Sequence, residues 1–259
     1  MNDLLAWTVE AHGGLERWER VGEVHLRGHM GGLGLLHSDY DSEPLRAAQI
    51  SVAEPWVSVT HFPEPGQGTI STFADTLVRI ERADGSRILR QRRDPRNYFL
   101  RYPPRLKRWF WYDLLDVSYF LGYALWNYML TPFLFTRPGF EVNEGEPIIV
   151  HGAKLRQLIV KFPPAIPTHC PVQSFFINAK GLVNYFTYTV DIVGSFVKAV
   201  HYCRGYREFS GIKVPTRRRV ILRYDHFLRN WRIKKNIAML MWGNLREIEF
   251  IDKENAAHR

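Results

Sequence analysis

Residues Val117 to Phe135 (VSYFLGYALWNYMLTPFLF) run for 19 positions without a formal charge, in the middle of a chain that elsewhere alternates apolar and polar residues. A stretch of this length could just span a bilayer. Ser118, Tyr119, Tyr123, Asn127 and Tyr128 interrupt its apolar character, Pro132 breaks its end, and Asp113 and Asp116 stand at its start. The better reading is a helix over 109–130 buried inside a soluble domain. A helix that is apolar nearly all round has to be wrapped by other elements.

The flanking segments supply the wrapping. A helical pattern covers 3–20, with Leu4, Leu5, Val9 and Trp18 near helical spacing and Gly13–Gly14 bending it. From Val21 the period changes to two: Val24, Leu26 and Met30 alternate with His25, Arg27 and His29. Further strand-like runs fall at 35–40, 47–53, 56–62, 69–74, 77–82 and 87–92, so strands occupy 21–92. Ala83 to Ser86 close the last hairpin. Residues 94–108 read as a basic loop with Pro95, Pro103 and Pro104. After the helix, Pro132 and Pro138 mark the exit. A meander fills 153–250, with strands at 153–162, 172–178, 181–190, 197–209, 212–223 and 237–250. Asn178–Gly181 and Ser210–Gly211 are hairpin turns, and 225–235 is a second basic loop.

The fold class is therefore mainly β (α+β), a single domain over 1–259. It is a curved antiparallel sheet, or incomplete β-barrel, with an N-terminal helix and a long inserted helix covering the concave face. With 259 residues and 46% hydrophobic side chains the chain can fill such a core, since all-β domains reach this length.

Charge is unevenly placed. Residues 1–80 hold 5 basic and 11 acidic side chains, 87–108 hold 9 and 1, and 204–235 hold 11 and 2. The two basic blocks fit solvated faces, or contact with an anionic partner such as a membrane. The N-terminal MNDLLAWTVEAHGG has no basic n-region, apolar h-region or cleavage site, which predicts an unexported, cytoplasmic protein with Cys170 and Cys203 as reduced thiols. HExxH, GxSxG, a Walker loop and GxGxxG are all absent; Gly32 and Gly34 start a nucleotide fingerprint that fails at His37. His25 and His29 share a strand face but stand too far apart for zinc. No metal or cofactor is implied.

Two constellations carry chemistry. At 100° per residue, Tyr112, Asp116, Tyr119, Tyr123, Trp126, Asn127 and Leu130 fall within one arc of the helix, and Leu114, Leu121, Leu125 and Tyr128 lie opposite. An apolar wall with a few placed polar groups suits a ligand pocket; equally, each hydroxyl could bond strand backbone. The second is Arg218, which shares a strand face with Val214, Thr216, Val220 and Leu222. An inward arginine needs a carboxylate (Asp113, Asp116 or Asp191) or an anionic ligand. His201, between Ala199 and Cys203, is either a general base or a structural histidine.

AHGGLERW (11–18), YFLGYALWNYMLTPFLF (119–135), PGFEV (138–142), the GL turn (181–182) and HYCRGYREFSGIKVPTRRRV (201–220) resemble an uncharacterised family of bacterial proteins of about this length. The fold these proteins resemble is that of the bacterial lipoprotein carriers (LolA/LolB/LppX-like). The resemblance implies a helix-covered concave sheet that holds acyl chains. It implies a hydrophobic ligand, a small molecule or lipid with or without an anionic head; the two constellations above, not the resemblance, give its site as Tyr112, Asp116, Tyr119, Tyr123, Trp126, Asn127, His201 and Arg218. The alternative is a cofactor-independent cyclase or isomerase in the same cavity, with Asp116 and His201 as catalytic candidates. A third reading, single-stranded nucleic acid on 92–112 through Tyr98, Phe99, Tyr102 and Trp109, fits poorly because its prolines favour a packed loop. Nucleic acid is not the expected partner.

Overall fold

The computed structural model describes residues 1–32, 46–62, 69–101, 113–168, 170–189, 197–224 and 239–256. Among the described residues, thirteen antiparallel strands form one open sheet. In chain order they are β1 (Val21–Gly31), β2 (Arg46–Ser51), β3 (Trp56–Thr60), β4 (Thr69–Ala74), β5 (Leu77–Arg82), β6 (Ile88–Arg93), β7 (Glu141–Val150), β8 (Ala153–Lys161), β9 (Val172–Ile177), β10 (Val183–Thr189), β11 (Val197–Phe209), β12 (Ile212–Tyr224) and β13 (Met239–Asp252). Their spatial order is β6-β5-β4-β3-β2-β1-β13-β12-β11-β10-β9-β8-β7. Strands β1–β6 and β7–β13 each form a meander in which neighbours in sequence are neighbours in space, and the β1–β13 pair joins the two meanders (Val24↔Phe250, Leu26↔Ile248). The first and last strands of this order, β6 and β7, do not meet, so the barrel is incomplete.

Helix α1 (Asp3–Ala11) and helix α2 (Leu15–Glu19) replace the predicted 3–20 helix. Gly13, at φ 127°, breaks it: a Cβ there would lie 2.3 Å from the Gly211 carbonyl oxygen. Both helices meet the 210–211 turn. The Lys213 amide donates to the His12 carbonyl at 2.9 Å, and Arg17 Nε donates to that of Ser210 at 2.8 Å. The basic 94–108 segment is a loop only in part. Pro95–Arg101 form helix α3, with Pro95 at the first position, where its missing N–H is no loss. Asp94 takes the side-chain amide of Asn97 at 2.8 Å. Strand β7 was not legible as a strand: Gly145 and Pro147 interrupt its alternation, and both lie on an edge, where Pro is tolerated. The predicted strand 35–40, the loop 225–235 and residues 102–112 lie outside the described residues.

Helix α4 (Leu114–Leu130) is the inserted helix, and it starts at 114 rather than 109. Asp113 and Asp116 form a capping box: the Asp113 carboxylate takes the Asp116 amide at 2.9 Å, and Asp116 takes the Asp113 amide at 3.2 Å. Thr131 is extended because Pro132 follows it, which ends the helix. Every residue of α4 except Leu114 and Tyr128 is buried. Among the described residues no helix is long and apolar enough to cross a membrane.

The sheet bends around α4, as its partners show. Gly122 lies against β4, where a Cβ would stand 2.2 Å from Phe73 Cβ, so only glycine permits this approach. Trp126 Nε1 donates to the Ser51 carbonyl at 2.9 Å, at the end of β2. The other flank reaches β10 through Tyr128 and Tyr188 (3.1 Å between hydroxyls) and β12 through Arg218. One helix touching strands that far apart in the order requires a curved sheet. A 3-10 turn, Phe133–Thr136, follows; its Phe133 stacks on Trp18 at 4.4 Å.

Candidate functional site

The predicted stripe divides between two seams. Tyr119 and Trp126 face the first, against β2–β6. Tyr119 packs on Phe73 (5.8 Å between rings), and its phenol is pushed up by burial. Trp126 is fully buried, and Arg137 covers its ring at 5.4 Å. Asp116 belongs to the same seam: its carboxylate takes Arg92 Nη1 from β6 at 2.5 Å, and Asp113 takes Nη2 of the same guanidinium. Burial, then the neighbouring Asp113, raise the Asp116 pKa. Burial opposes the ionisation of Asp113 too, but its bonds from Arg92 and from the Asp116 amide hold its pKa low. The acidic partners expected for Arg218 are thus taken by Arg92. Tyr112 and Asp191 lie outside the described residues.

The second seam lies against β9–β13 and holds two small cavities. The first, of about 40 Å³, is lined by Tyr123, Asn127, Tyr128, Thr168, Phe175 and Tyr188 among others. Asn127 Nδ2 donates to two carbonyls, Tyr123 at 2.9 Å and Pro167 at 2.8 Å. That fixes the amide and leaves Oδ1 buried without a donor. Burial pushes the Tyr128 phenol up to about 12 and that of Tyr188 well above its usual range, so both stay protonated.

The second cavity, of about 30 Å³, has Leu121, Leu125, Met129, Met241, His201 and Arg218 in its wall. His201 is 1% exposed, stacks on Phe186 at 4.4 Å and meets the edge of Tyr128 at 4.4 Å. Arg218 Nη2 donates to the Tyr128 carbonyl at 2.9 Å, in the last turn of α4, whose carbonyls carry partial negative charge. Nη1 stands 3.4 Å from His201 Nε2 and 3.6 Å from Cys203 Sγ. Nε is buried and unbonded. Among the described residues Arg218 has no carboxylate partner.

This geometry sets the histidine's proton. Arginine only donates, so His201 Nε2 accepts and the proton sits on Nδ1, which meets no acceptor among the described residues. Burial first, and Arg218 second, hold the His201 pKa well below 6.5. His201 is a neutral donor here. Its partner Tyr128 sits on the helix face opposite the predicted stripe. Its signal in the sequence was its register with Leu121 and Leu125, which also face this cavity.

No protein-family model and no curated protein matches the sequence. Among solved structures, the chain is similar to a LolA superfamily protein from Nitrosomonas europaea, with a TM-score of 0.49, 9% identity, and coverage of 96% of this chain and 92% of that one. It is also similar to a DUF1329 family protein from Desulfovibrio piger, with a TM-score of 0.48, 10% identity, and coverage of 95% and 91%. The likeness is one of fold.

Proposed function

We propose that the protein binds a hydrophobic small molecule or lipid with an anionic head, in the seam between α4 and β9–β13. Arg218 holds the head, with the His201 Nδ1–H as a second donor; Leu121, Leu125, Met129 and Met241 face the tail. The observation that carries this reading is Arg218: a guanidinium on the concave face, beside an apolar cavity, with a buried Nε and, among the described residues, neither a bond to that atom nor a carboxylate partner. A lone helix carbonyl offsets such a charge only in part. An anionic bilayer is the source of ligand in this reading.

Cavities this small hold a water or two. A ligand with a hydrocarbon tail therefore enters by parting the C-terminal half of α4 from the sheet. That half is held by the Asn127, Tyr128 and Arg218 bonds, each contributing on the order of 1–3 kcal/mol. For the enzymatic alternative, neither predicted base is placed to act in these cavities: the accepting nitrogen of His201 faces Arg218, and Asp116 lines neither cavity.

Fluorescence titration with cis-parinaric acid and with its methyl ester tests the reading. The acid binds at least about tenfold tighter than the ester, and Arg218→Met abolishes the preference. Equal affinity for acid and ester in the unmodified protein, or no binding of either, contradicts it.

A further inference from the structure

The two free edges of the sheet face the same hazard, a row of unpaired backbone groups, and meet it differently. On β7 the hazard is damped. Pro147 removes a donor, the pairing is irregular between Gly145 and Ile148, and two of the three glutamates are paired: Glu141 with Lys161 at 2.8 Å and Glu144 with Arg156 at 2.8 Å. On β6 nothing is neutralised but Arg92. Residues 82–91 are all exposed, including Ile88 (47%) and Leu89 (40%). Arg87, Arg90 and Arg93 make no ion pair among the described residues. The hairpin holds two acids: Glu81, opposite Ile88, stands 3.7 Å from Arg79, and the Asp84 carboxylate takes the Ser86 amide at 2.9 Å.

The hairpin is ordered. The Arg82 amide donates to the Arg87 carbonyl at 3.0 Å and the Gly85 amide to that of Arg82 at 2.9 Å, with Gly85 at φ 70°. It therefore presents two adjacent apolar side chains at the start of β6, ringed by cations. Arginine alone would guard an edge; an exposed Ile–Leu pair defeats that purpose. Unpaired cations around apolar side chains are complementary to an anionic lipid surface, where headgroups meet the charge and the acyl boundary takes the apolar pair.

We propose that the β5–β6 hairpin docks the protein on an anionic bilayer, with Ile88 and Leu89 entering the interface and Arg82, Arg87, Arg90 and Arg93 on the headgroups. This extends the ligand-binding reading by naming where ligand is exchanged, and its test does not depend on the cavity.

The test is co-sedimentation of the full chain with phosphatidylglycerol–phosphatidylcholine vesicles and with phosphatidylcholine vesicles alone. The protein associates with the first and not the second. Arg87→Ala with Arg90→Ala weakens association roughly 30-fold, since each surface cation contributes about 1 kcal/mol. Ile88→Ser with Leu89→Ser weakens it roughly tenfold. Ile149→Ser, an exposed apolar residue on the opposite sheet edge, leaves it unchanged. All three sets change exposed side chains, and circular dichroism checks that each folds. Failure to associate with anionic vesicles overturns the proposal. So does loss with the arginines but not with Ile88 and Leu89, which would mean charge alone and fit an acidic protein partner.

Discussion

Helix α4 is gripped on one side and loosely seated on the other. Toward β2–β6, Gly122 allows contact with Phe73, Trp126 bonds Ser51, and Arg92 ties both capping carboxylates to the sheet edge. Toward β9–β13 lie two cavities, and three buried polar atoms go unpaired: Asn127 Oδ1, His201 Nδ1 and Arg218 Nε. Buried polar atoms are nearly always bonded, so these three, lying beside two cavities, are the basis for proposing a ligand on this side. The tight seam fixes the helix N-terminus, and the two cavities flank its C-terminal half, which the Asn127, Tyr128 and Arg218 bonds hold.

The contrast can be broken most sharply with steric probes. Gly122→Val, in the tight seam, forces a branched side chain into Phe73 and destabilises the fold by about 3 kcal/mol or more; urea unfolding measures it. Ala124→Val, two residues on and facing the first cavity, stays within about 1 kcal/mol of the parent because room exists there. Equal costs at the two positions would erase the distinction between the seams. Arg92→Met leaves Asp113 and Asp116 unpaired and costs about 3 kcal/mol; adding Asp113→Asn and Asp116→Asn recovers part of it.

A smaller effect is pH dependence. Burial brings the His12 pKa down to about 4, and that of His201 also lies well below 6.5. Each is neutral when folded and takes a proton more readily when unfolded. Their contribution is fully present above about pH 6.5 and is lost as pH falls from there toward 4. Asp116, with a raised pKa, works in the opposite sense. The unfolding midpoint therefore drops between pH 7 and 5, and His201→Leu makes that drop shallower. An unchanged slope in the variant would mean that His201 is not held neutral.

Much of the architecture was legible because alternation is a local signal. Strands β4, β5 and β11 have the bounds their patterns predict, and the uncharged run became the central helix. The misses have physical causes. Strand β7 lies on an edge, so exposed glutamates replaced the apolar face that marks a strand. Gly13 split the first helix because the 210–211 turn, distant in sequence, presses on it. The helical wheel showed which residues share a face of α4, but not which seam each face meets. Arg218 and His201 were visible as unusual residues; their partner Tyr128 was not, because that depends on how the sheet curves. Arg92 was hidden within a basic block that read as surface.

Hydrogen exchange read by mass spectrometry, with and without oleate, tests the central claim most directly. The account predicts slower exchange in 123–131 and along β11 and β12 when oleate is present, with β2–β5 unchanged and the effect lost in Arg218→Met. Protection spread evenly over both seams, or none at saturating oleate, would contradict it.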